Sequence, residues 1–136
     1  MPSNIDAGLL ALRLVACISL LTKHGWEKLF HYSDTYAKMA DHHTYVAAIG
    51  ITASLLCAAF ADGICTTLMI VGLASRWAAL VSLINLLVAW VLVNQMAYFN
   101  GPAAGHGEMI VAYSASMLIL IFAGGGKYSI DRLLDR

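Results

Sequence analysis

The sequence is short of charge: eight Lys and Arg and eight Asp and Glu in 136 residues, 12% of the chain, where soluble domains carry about 25%. The formal net charge is zero and no basic run occurs, which argues against a nucleic-acid partner. Proline is nearly absent, at Pro2 and Pro102, so little interrupts a helix. The three cysteines, Cys17, Cys57 and Cys65, all fall in apolar stretches and form no C-x-x-C. Cys57 and Cys65 are two turns, ~12 Å, apart on one helix, too far for a disulfide. The opening MPSNID lacks the positive region and small-residue site of a cleaved signal, so the first apolar segment is expected to be retained. Haem, flavin and metal motifs are missing as well. His42 and His43 are adjacent, ~100° apart on a helix, and repeat no known ligand spacing.

Hydrophobicity fills the space that charge leaves: 60% of residues are hydrophobic and the mean hydropathy is +0.75. The clearest run is Ala47 to Leu73, apolar except for Asp62 near its middle. A helix of that length covers ~40 Å against a ~30 Å hydrocarbon slab, so Asp62 is placed deep in a membrane. An ionised acid there costs at least ~2.5 kcal/mol unless paired. Gly50, Ser54, Ala58 and Asp62 recur every four residues, a small-residue stripe that turns Asp62 toward neighbouring helices.

The pattern predicts an all-α integral membrane four-helix antiparallel bundle. Helices are expected over residues 7–31, 47–73, 78–98 and 107–123, with a polar outer loop or interfacial helix over 33–45 and an amphipathic tail over 128–136. Ser129 is the expected N-cap of the tail. In the first helix Cys17, His24, Glu27, Lys28 and His31 all fall within roughly 60° of Arg13 at 100° per residue. Arg13 has two readings, snorkelling to headgroups or pairing with Asp62. Asn85 in helix three reads as an interhelical hydrogen-bonding group, and Glu108 as a charge favoured by the helix N-terminus beside His106. Counting Lys and Arg beside the helix ends puts both termini in the cytoplasm.

These residues come in an order that resembles the DoxX family of small four-helix bacterial membrane proteins. Its pieces are LRL...HGWEKLF, FADGICTTLMIVGLASRWAAL, GHGEM...Y and GGGKYSIDRLL, spread from Leu9 to Leu134. Two positions depart from the family pattern: Asp62 stands where Glu is usual, and Asn94 and Gln95 stand where a His is common. The resemblance implies a subunit in the bacterial inner membrane associated with oxidation and reduction, because the family is similar to a subunit of a thiosulfate:quinone oxidoreductase and to partners of oxidative-stress proteins.

The expected ligand is a quinone or another amphipathic molecule held between helices. Ligand-binding or proton-relay candidates are Arg13, His24, Lys28, Asp62, His106, Glu108 and Tyr113, since intramembrane ionisable groups mark sites and proton paths. Trp26, Trp90 and Tyr113 would pack on a ring or simply fill the core. Expected partners are the bilayer, a soluble or membrane redox protein and further copies of the chain. The alternative function is a noncatalytic anchor or assembly factor for a redox or stress-response complex.

Overall fold

The computed structural model describes residues 4–42, 49–93 and 106–135. The described residues are helical or in turns, with no strand among them. The chain starts with α1 (Asn4–Leu20), which widens into a π-helical turn at Leu21–Gly25 and tightens again as α2 (Trp26–Phe30). The polar connection that follows takes the helical form of its two expected forms, as α3 (Tyr32–His42). Its remaining positions, 43–45, lie outside the described residues.

Next comes α4 (Gly50–Ala59), a second π-helical turn at Phe60–Cys65 and α5 (Thr66–Val71). The helix ends where Gly72, at φ 81°, donates its N–H to the carbonyls of Leu68 and Met69, and Leu73 donates to Leu68. This is a glycine-dependent helix stop that satisfies carbonyls otherwise left open. The chain then returns as α6 (Ser75–Val88), runs into a third π-helical turn at Ala89–Val93, and is described again from α7 (His106–Ala123) to α8 (Ile130–Leu134).

One core joins α1, the second π-turn, α5, α6 and α7, built from Cys17, Leu20, Cys65, Met69, Leu83, Met117 and Leu120 among others. On α6 the buried positions are mostly small, Ser75, Ala78, Ala79 and Ser82, so neighbouring backbones come close. Large apolar side chains point outward instead: Val15, Leu56, Phe60, Ile84 and Phe122 are all exposed. Two helical runs, Asn4–Gly25 and Gly50–Val71, are long and apolar enough to cross a membrane. Ser75–Val91 and Met109–Ala123 are shorter apolar runs.

Candidate functional site

Asp62 sits on the second π-turn with its side chain 4% exposed. Lys28 of α2 donates Nζ to one carboxylate oxygen in a salt bridge, and Asn85 of α6 donates Nδ2 to the other at 3.0 Å. The acid is therefore held from two sides by elements 34 and 23 residues away in sequence. Lys28 keeps 19% of its side chain accessible, so the pair reaches toward the outside through the lysine rather than through Asp62.

The backbone explains how Lys28 arrives there. Gly25, the last residue of the first π-turn, lies directly on the Asp62 peptide: a Cβ at Gly25 would collide with the Asp62 carbonyl and sit 3.1 Å from the Gly63 Cα. Without a side chain at that crossing, the two π-turns touch backbone to backbone, and Lys28, three residues on, lands beside the acid. A π-turn also leaves carbonyls poorly served by its own backbone. Thr66 Oγ1 donates to the carbonyls of Asp62 at 2.5 Å and Gly63 at 2.9 Å, Thr67 Oγ1 donates to Gly63 at 2.8 Å, and Ser82 Oγ donates to Ala61 at 3.3 Å. The carboxylate thus stands on a widened, side-chain-braced turn.

Pairing of Arg13 with Asp62 is corrected by these contacts. Arg13 is 1% exposed and donates to the carbonyls of Gly125 at 2.5 Å and Tyr128 at 2.8 Å. Snorkelling does not describe it either, since the guanidinium is enclosed by protein. The reason is axial distance: Arg13 lies 15 residues, ~22 Å of helix, before Lys28. It holds the opposite end of the molecule, where Asp131 accepts from the N–H groups of Ala74 at 2.6 Å and Ser75 at 2.8 Å.

The other candidates separate as well. His24 is half-buried on the first π-turn, next to Gly25. Tyr113 shares a 2.7 Å hydrogen bond with Ser19, joining α1 to α7 away from the acid. His106 and Glu108 open α7, but their side chains lie outside the described residues, as do Asn94 and Gln95. Ser129 precedes α8 in an extended conformation, yet its hydroxyl donates to the Gly126 carbonyl at 2.7 Å instead of capping the helix. Among the described residues no group of three His, Cys, Asp or Glu is placed to hold a metal.

Sequence reasoning overlooked Gly25, Gly63 and Thr66, and read Asn85 as an interhelical hydrogen-bonding group without naming Asp62 as its partner. Asn85 had a signal, an amide inside an apolar helix; Gly25 had only its place between two polar residues.

A helical chain with an apolar exterior and a charged pair held between its helices has the features of a membrane protein with an internal polar site. The DoxX family model matches residues 8–95, and the chain belongs to that membrane-associated family. The match includes Lys28, Asp62 and Asn85, and leaves out α7 and α8. No curated protein and no solved structure matches the chain.

Proposed function

We propose that this DoxX family protein is a four-helix antiparallel bundle crossing the inner membrane, with both termini in the cytoplasm, and that it serves as a membrane subunit of a redox system. Its ligand is a quinone or similar amphipathic molecule bound beside Lys28, Asp62 and Asn85. The observation that carries the reading is the buried salt bridge on a widened helical turn. Ionisable groups among apolar helices are costly, and π-turns occur often at functional sites.

The chemistry suits such a ligand. A quinone that takes electrons from a partner also takes a proton at each carbonyl oxygen, and a positioned side chain speeds that transfer. Lys28 is the donor with access to the exterior; Asp62 and Asn85 fix it in place. His24 on the adjoining turn is the second candidate donor, with His106 and Glu108 placed at the start of α7 by sequence. Electrons come from a partner protein, because the sequence carries no haem or flavin motif.

One observation favours the anchor or assembly-factor reading: both Asp62 oxygens already have protein donors. The two readings part on the purified protein. Quinone that copurifies with wild type and is lost in Lys28→Gln, with Lys28→Arg retaining it, supports the ligand site. A copurifying soluble enzyme with no quinone in any variant supports the anchor. Self-association of the chain, expected from sequence, would enlarge the ligand space and is read from the mass of the detergent complex.

A further inference from the structure

At the end of the molecule remote from Asp62, a cavity of about 720 Å³ opens between the start of α6 and the segment joining α7 to α8. That volume lies within the ~300–1,000 Å³ of pockets that take small ligands. Its charged and apolar walls include Arg76, Trp77, Lys127, Arg132, Leu134 and Asp135. We propose that this cavity binds the phosphodiester headgroup of an anionic phospholipid, with Arg76 and Arg132 as its cationic contacts.

The charges that face the cavity are not equally available. Asp131 is occupied by the Ala74 and Ser75 N–H groups, and Asp6 accepts from the Lys127 N–H at 3.2 Å and pairs with its Nζ at 3.8 Å. Arg76 and Arg132 have no carboxylate partner among the described residues, against the one remaining acid, Asp135. The lining is net neutral, with three cations and three carboxylates, and what it offers an anion is the two arginines that are paired with no carboxylate. The Arg76 guanidinium lies against Gly124, where a Cβ would come within 3.1 Å of its Nε. A planar guanidinium matches a phosphate better than an ammonium does.

The apolar residues around the cavity choose a lipid over a soluble phosphate. Trp77 is 73% exposed and Leu134 70%, so an anion that binds the arginines brings its surroundings against indole and leucine surfaces. Acyl chains satisfy those surfaces; free phosphate does not. Arginines beside membrane helices at the cytoplasmic face are suited to phosphate headgroups. This inference rests on the membrane reading of the chain and not on the Lys28–Asp62 ligand site, so a quinone-free protein would leave it standing.

The test uses the full chain in a neutral detergent, with phosphatidylglycerol, phosphatidylcholine or inorganic phosphate added, and reads lipid retention by native mass spectrometry alongside the melting temperature. Wild type is expected to retain phosphatidylglycerol in preference to phosphatidylcholine and to be stabilised by it, with no shift from inorganic phosphate. Arg76→Gln/Arg132→Gln should weaken that retention about tenfold or more, since each surface cation contributes roughly a factor of five to anionic-lipid attraction, while Arg76→Lys/Arg132→Lys keeps the preference. Equal retention of the two lipids by wild type, an equal shift from phosphate, or an undiminished preference in the glutamine variant overturns the proposal. Should the glutamine variant not fold, the wild-type lipid comparison decides.

Discussion

Removing Lys28 leaves the Asp62 carboxylate with Asn85 as its remaining side-chain donor in an enclosed position. Breaking one side of a buried ion pair is far more damaging than replacing both sides with apolar groups. Lys28→Met should therefore lower stability by about 3 kcal/mol, and Lys28→Met/Asp62→Leu should lower it less than the single change does. Unfolding of the detergent-solubilised variants measures both, and a double variant weaker by the sum of its parts would refute coupling. Arg13 makes the contrast. Its partners are Gly125 and Tyr128, so Arg13→Gln and Asp62→Asn should add within about 0.5 kcal/mol. At this scale the sequence made the need for a partner legible, because an acid in an apolar run cannot stand alone. It did not make the partner's identity legible. Arg13 and Lys28 share a helical stripe, and only the height of the crossing, set by Gly25 against Asp62, chooses between them.

Among the helices, the close crossing of the two π-turns makes specific demands on glycine. Gly25 faces backbone atoms that cannot rotate away, whereas Gly63 faces the Leu29 side chain, at 2.5 Å from where its Cβ would be, and that side chain can turn aside. Gly25→Ala should cost about 1–3 kcal/mol, the usual penalty of overpacking, and Gly63→Ala less. Gly8, with no atom within 4 Å of its would-be Cβ, supplies the control: Gly8→Ala should be neutral or stabilise by up to about 1 kcal/mol. Thermal unfolding ranks the three, and equal effects at positions 25 and 8 would discard the crossing as the determinant. The existence of the apolar helices was readable from composition and period. Their phase was legible only in part: a π-turn inserts an extra residue, so a count at 100° per residue drifts beyond it, yet Lys28, counted onto the stripe, does reach inward to Asp62. His31, placed on the polar stripe by that count, is exposed; in the stripe from Gly50 to Asp62, nothing lies within 4 Å of a Cβ built at Gly50, while Ser54 and Asp62 are buried.

Across the whole molecule, residues distant in sequence meet at the end opposite Asp62. Asp6 reaches Lys127, Arg13 reaches Gly125 and Tyr128, and the Asp131 N–H donates to Gly72 at 2.9 Å while its carboxylate caps the start of α6. The GGGKYSID segment is thus a strap that ties α1 to the turn between α5 and α6. Sequence showed a helix stop and an anchor here; it could not show that Arg13 grips the strap, since the acceptors are backbone carbonyls and carry no side-chain signature. If the proposed bundle crosses the membrane, Lys38 and Arg132 face opposite sides. A cysteine at position 132 should label from the cytoplasm and one at 38 from outside. Both labelling from one side would overturn that topology.

The strap also provides a sharper test, because Arg13 and Asp131 act on one segment from two directions. Asp131→Ala removes two acceptor bonds from the start of α6 and should cost about 1–2 kcal/mol, as loss of a helix cap does. Arg13→Gln withdraws the donor from Gly125 and Tyr128 and should loosen the same residues. Once either change has freed the strap, the second finds less left to release, so the double variant should lose less stability than the two single losses combined. Amide exchange over residues 124–135 should rise in each single variant while exchange at the Lys28–Asp62 crossing stays protected. Additive losses, or exchange rising equally at both ends, would mean that Arg13 and Asp131 stabilise separate parts of the fold and that no strap joins them.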